Sequence, residues 1–214
     1  MSDVTFPAPN PPTSDALAKA RAAMMAEATL PKRAGWKAGV LKASGTVLGL
    51  AAAVAGVLLA VGACTLDMFS SRAVTLAGLL TVGIVTMWAS LRPQGHVARL
   101  VSLGLVVLSA AFIVLVRGAG APSPQPEWVC TVSHLAVGIA PAAVVIMLLR
   151  GMAPNRLRSV LAGLAAGTTG AIVGEFGCGQ SAGHVALFHL SAWAAVALVV
   201  TVISSKLTPR SYAP

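Results

Sequence analysis

Six apolar stretches of about twenty residues, charged only near their ends, constrain this 214-residue chain more tightly than any other feature. A helix rises about 1.5 Å per residue and the hydrocarbon core of a bilayer is roughly 30 Å thick, so each stretch is long enough to cross it. They are predicted to run from Ala43 to Ala63, Ala73 to Leu91, Val97 to Val116, Thr131 to Leu149, Ser159 to Phe176 and His184 to Ser204. The runs are continuously apolar rather than alternating, and lipid leaves the backbone of an open sheet unpaired, which selects helices. The fold class is therefore all-α: a polytopic membrane protein with six transmembrane helices. Composition agrees, with 57% hydrophobic and 10% charged residues and a mean hydropathy of +0.84. A water-soluble globule needs more polar surface than this.

The flanking charges orient the bundle. Lys19, Arg21, Lys32, Arg33, Lys37 and Lys42 precede the first span; Arg92 and Arg99, then Arg150, Arg156 and Arg158, border two connections; Lys206 and Arg210 follow the last. These are 13 of the 15 basic residues, all on one side, with Arg72 and Arg117 on the other. By the positive-inside rule both termini are cytoplasmic. The net charge of +9 then faces the anionic lipid of the inner leaflet and gives no reason to assign DNA or RNA as a direct partner. The first apolar run begins about forty residues in, so no cleaved leader is expected. Val61-Gly62-Ala63-Cys64 faintly resembles a lipoprotein processing box, but cleavage there would discard the whole preceding tail.

The expected organisation is a cytoplasmic arm over residues 1–42, a bundle over 43–204 and a tail over 205–214. Pro7, Pro9, Pro11 and Pro12 keep the start of the arm extended. Beyond them Thr13 or Ser14 can cap a helix, and Ala16 to Thr29 consists of helix formers until Pro31. Leu17, Ala20 and Met24 line one face of that helix, with Arg21 on another and Met25 beside Met24. The helix can lie on the membrane, pack beneath the bundle or dock a cytoplasmic partner through Leu17, Ala20, Arg21, Met24 and Met25, with the loop cations Arg150, Arg156 and Arg158 beside it. Gly118 to Pro126 reads as a stiff extended linker. Gly163, Gly167, Gly170 and Gly174 share one face of the fifth span, a spacing that lets two helix backbones approach closely.

Chemistry-bearing side chains collect on the outer side. Cys64, Cys130 and Cys178 all lie there, and three pairings are open, each leaving one thiol over. His134 is one helical turn beyond Cys130, while His184 and His189 follow Cys178, with Glu175 just before it. Three readings stand: buried small residues with interfacial imidazoles, a disulfide or thiol sensor at Cys130 and Cys178, or a transition-metal or zinc site at Cys130, His134, Cys178 and His184. The spacing is not that of a zinc finger or ribbon. No phosphate-binding loop, nucleophile elbow or H-E-x-x-H pair is present, and no C-x-x-C for a thiol oxidoreductase, so an enzyme is not expected. A small-solute or ion permease is the rival class. It would require a polar path, and no predicted span is charged at its centre.

From Cys130 onward, the succession Cys130, Pro141, Leu149-Arg150-Gly151-Met152-Ala153-Pro154, Ala162-Gly163, Ala166-Gly167, Gly170, Cys178 and Trp193 resembles the NrsF-type negative regulators of sigma factors. CarR-like light-responsive regulators share the plan. The resemblance implies a six-span inner-membrane anti-sigma factor whose cytoplasmic side holds an extracytoplasmic-function sigma factor inactive. It also implies that Cys130 and Cys178 are the outward cysteines that sense stress. The chain departs from the pattern at Gly151, where a second arginine is common, at Ala194, where a tyrosine commonly follows the tryptophan, and at His134, where an acidic residue is expected.

Overall fold

A computed structural model describes residues 13–15, 17–19, 35–117, 120, 126–152 and 154–207. They divide into two units, 1–34 and 35–214. In the first, Ser14, Asp15 and Leu17 to Lys19 are helical, and the Leu17 N–H donates to the Thr13 carbonyl at 3.0 Å. The remainder of the helix expected over Ala16 to Thr29 lies outside the described residues, as does most of the linker from Gly118 to Pro126.

The second unit holds the six long apolar helices, and no strand occurs among the described residues. They are α1 (Gly35–Ala60), α3 (Ala73–Leu91), α4 (His96–Val116), α5 (Trp128–Leu149), α6 (Arg156–Gly177) and α7 (Ala182–Lys206), with a short α2 (Leu66–Ser71) between the first two. The first span begins eight residues earlier than the expected Ala43, because Lys37 and Lys42 ride on it with exposed side chains instead of interrupting it. It also stops earlier, at Ala60. Gly62 adopts φ +71°, a conformation that costs glycine little, and the Ala63 and Gly62 N–H groups return to the carbonyls of Leu58 and Leu59 at 2.8 and 3.1 Å. Helix α2 was not expected. The Thr65 hydroxyl accepts from the Met68 N–H, Asp67 occupies the first turn, and Phe69 stacks on Phe176 with ring centroids 4.3 Å apart.

Helix α6 is the axis of the bundle. It touches every other span, and 72% of its most apolar window is buried, against 22% for α1 and for α4. Its sequence explains this position, because the face carrying Gly163, Gly167, Gly170 and Gly174 has no side chains to hold neighbours away. A methyl group added at Gly163 would lie 2.6 Å from the Ala197 Cα, and one at Gly167 would lie 2.5 Å from Trp193 Cδ1. The same addition at Gly170 would strike the His134 ring, and at Gly174 the His189 ring. Trp193 is thereby pressed onto α6, where its indole N–H donates to the Leu164 carbonyl at 2.6 Å. Around this axis one apolar cluster gathers Ala43, Val47, Met87, Val145 and Val200, and a second gathers Leu79, Ile113, Ile172, Phe176 and Trp193. Large apolar residues such as Val57, Leu108, Leu115, Ile139 and Leu198 remain exposed, as a lipid-facing surface requires.

Gly163→Ala is expected to destabilise the bundle by about 1–3 kcal/mol through overpacking, whereas Gly104→Ala, with open space around its Cβ position, should be neutral or slightly stabilising. Thermal unfolding of both variants in detergent checks this; equal shifts would contradict the close-approach role of α6.

Candidate functional site

The two ends of the bundle are built differently. At the end formed by the α3–α4 and α5–α6 connections, arginines close the loops from within. Buried Arg99 donates from Nη2 to the Arg92 carbonyl at 2.7 Å and from Nε to the Ala89 carbonyl at 3.3 Å. Buried Arg158 reaches across from α6 and donates from Nη2 to the Pro93 carbonyl at 3.1 Å. These guanidiniums satisfy carbonyls that helix ends leave without intrahelical partners. Asn155 caps α6, its Oδ1 accepting from the Arg158 N–H at 3.0 Å, which is why that helix starts at Arg156 and not at Ser159. Of the three loop cations considered for a partner, Arg156 is exposed, Arg150 is half-buried and Arg158 is committed to the loop clamp. In the arm, Leu17 is exposed, while Ala20, Arg21, Met24 and Met25 lie outside the described residues.

At the opposite end, Arg72 and Arg117 converge on the C-terminus of α6. Arg117 pairs with Glu175 at 2.5 Å, with both side chains over nine-tenths buried, and also donates to the Cys178 carbonyl at 2.7 Å. Arg72 donates to the carbonyl oxygens of Glu175 and Cys178. Burial, then repulsion from Arg117, lowers the Arg72 pKa below its ordinary value, against the opposing pull of Glu175. Two cations at a helix C-terminus complement its dipole, and here they also fix the backbone that carries Cys178.

Beside this clamp lie two thiols and two imidazoles. Cys130 stands in the first turn of α5, Cys178 just past α6, and His184 and His189 in the first part of α7. One ligand atom from each lies within 4.8 Å of all the others. Cys178, His184 and His189 are buried, Cys130 is half-buried, and all three cysteines are free thiols. His134 is not among the four: it sits deeper on α5, with Nε2 3.2 Å from the Gly167 carbonyl oxygen and its ring 6.0 Å from that of His189. Cys64 is buried elsewhere, after α1.

His189 takes the place expected for His134, and local backbone geometry is the reason. In an unbroken α-helix a residue five positions onward is rotated by about 140°, which would send His184 and His189 to different faces. Residues Val185–Leu190 instead form a π-helical turn, whose i→i+5 repeat brings the two rings to the same side with centroids 5.4 Å apart. Side chains take up carbonyls of that turn: the Thr131 hydroxyl of α5 donates to the Phe188 carbonyl at 3.0 Å, and Ser191 donates to that of Leu187. The absence of a side chain at Gly174 leaves room for the His189 ring. The only signal in the sequence was the pair of histidines five apart, which has no meaning on an α-helical template.

The architecture and this end site together define a multi-pass helical membrane protein with buried thiols and imidazoles gathered at one end of the bundle. Over 175 residues, 81% of this chain and 78% of its relative, the sequence is 49% identical to the carotenogenesis protein CarR of Myxococcus xanthus. The chain belongs to the CarR family. No family model matches it, and no solved structure does.

Arg117→Met, which removes the buried ion-pair partner of Glu175, is expected to cost about 3–5 kcal/mol. The double variant Arg117→Met/Glu175→Gln should be less damaging than the sum of the two single changes. A double-mutant cycle on thermal unfolding in detergent measures the coupling; strict additivity would show that the pair contributes nothing.

Proposed function

We propose that this chain is an anti-sigma factor of a bacterial inner membrane, a negative regulator that holds an extracytoplasmic-function sigma factor at the membrane until a signal reaches the thiol end. The observation that carries this reading is the 49% identity to a carotenogenesis protein across most of both chains. The resemblance of the segment from Cys130 to Trp193 to NrsF-type regulators supports it. In this reading the Lys/Arg-rich loops and the arm face the cytoplasm, as the positive-inside rule requires. The arm's Leu17, Ala20, Arg21, Met24 and Met25, with Arg150 and exposed Arg156, supply the grip on the sigma factor. Cys130 and Cys178 face outward and receive an envelope, oxidative or metal stress.

Helix α6 provides the mechanical link between the two tasks. One end of it carries the Arg158 clamp on Pro93, the other leads into Cys178, and the helix touches every other span. A change in how Cys178 is bonded alters the anchorage of one end of a single rigid element, and packed helices shift between discrete arrangements. Moving the sigma factor from nearly all held to nearly all free requires about 5.5 kcal/mol of differential binding between the two states. Proteolysis of the regulator would supply the same release.

Deleting residues 1–30 is expected to abolish co-purification of the sigma factor from detergent extracts while leaving the bundle inserted. Full retention would remove the arm as the principal contact. Cys130→Ser and Cys178→Ser are each expected to change inducibility of the target promoter without loss of membrane insertion. Unchanged induction in both would eliminate the thiol route.

A further inference from the structure

We infer that Cys130, Cys178, His184 and His189 form a binding site for one divalent d10 cation of the zinc type. Two thiolates and two imidazoles are the donor set of a closed four-coordinate zinc centre. The four donor atoms already lie within 4.8 Å of one another, contributed by α5, α7 and the residue that follows α6. On a tetrahedron with bonds of about 2.0–2.3 Å, neighbouring donors stand roughly 3.3–3.8 Å apart. Loading therefore requires the cluster to contract by about 1 Å, within the reach of side-chain rotation.

A second, independent observation points to an occupant. Both ring nitrogens of His184 and Nε2 of His189 are buried with no hydrogen-bond partner, and those two side chains are 5% and 7% exposed. Buried polar atoms are normally paired, and orphaned ones cost free energy. A disulfide between the cysteines would leave all three nitrogens orphaned, whereas coordination uses one nitrogen of each ring. The π-turn in α7, its Phe188 carbonyl held by Thr131, and the space left by Gly174 all serve to bring His189 to this point. The Cys178 backbone is pinned by Arg72 and Arg117. These are the outer supports by which metal sites hold their ligands in place.

Charge selects the ion. Two thiols lose their protons to solvent as the cation enters, and two thiolates then cancel a charge of +2. The result is a neutral centre, the least costly kind to bury at the edge of a membrane core. A monovalent soft ion in the same set would leave a net negative charge. This inference stands whether or not the chain binds a sigma factor, because it is read from metal uptake alone.

The test uses the full chain in detergent, reduced with a phosphine, stripped with a chelator and titrated with Zn²⁺, with Co²⁺ as spectroscopic probe and with Cu⁺ under anaerobic conditions. The expected result is one Zn²⁺ per chain by elemental analysis. Co²⁺ should show the intense visible bands of a tetrahedral ion and a thiolate charge-transfer band. Cys130→Ser and His189→Gln should each bind more than about 100-fold more weakly, beyond the range seen for outer-shell partners, and His184→Gln should repeat the loss should either of them fail to fold. Cys64→Ser, which lies outside the cluster, should bind normally. Absence of stoichiometric Zn²⁺ and Co²⁺ uptake by the reduced, folded chain would overturn the site, as would uptake indifferent to the three ligand substitutions, or uptake of Cu⁺ alone.

Discussion

Close approach along the small-residue face of α6 is the interaction on which the rest of the structure depends. In lipid there is no hydrophobic gain from bringing one apolar helix against another, so association rests on dispersion contacts and on polar groups that find partners. Gly163, Gly167, Gly170 and Gly174 let Ala197, Trp193, His134 and His189 come within van der Waals reach of the α6 backbone. Two of these four contacts hold imidazole rings. The feature that packs the bundle therefore also seats the groups that give one of its ends chemical character.

Four arginines form two clamps, one near each end of the same helix. Arg99 and Arg158 satisfy carbonyls of the α3–α4 connection, while Arg72 and Arg117 satisfy those at the end of α6. Each clamp fixes a helix terminus that otherwise presents unpaired backbone to a low-dielectric surrounding. Arg158 at one end and Arg72 with Arg117 at the other thereby tie both ends of α6 to the rest of the bundle.

The spans were legible in the sequence because membrane crossing is a composition rule that acts over twenty residues at a time. The predicted Ala73 to Leu91 coincides with α3, and the glycine face of α6 packs as its spacing implied. The limits of α1 were not legible, since snorkelling lysines do not end a helix and Gly62 does so through φ rather than polarity. Helix α2 escaped because six residues carry too little periodicity to register. At the site, Cys130, Cys178 and His184 were identified as neighbours from their common position near helix mouths, and they do converge. His189 was assigned to no ligand set because a π-turn is invisible to a reading based on 3.6 residues per turn, and His134, one α-turn from Cys130, points instead to the backbone of α6.

The central claim is a two-faced molecule, with thiols and imidazoles toward the outside of the cell and the arginine-clamped loops toward the cytoplasm. Single exposed cysteines at Ser70→Cys, in α2, and Pro154→Cys, in the α5–α6 connection, test it directly when read as labelling by a membrane-impermeant maleimide above the parent's own signal. The account expects Ser70→Cys to label on intact cells and Pro154→Cys to label only after permeabilisation. The reverse pattern, or equal labelling of both on intact cells, would contradict it.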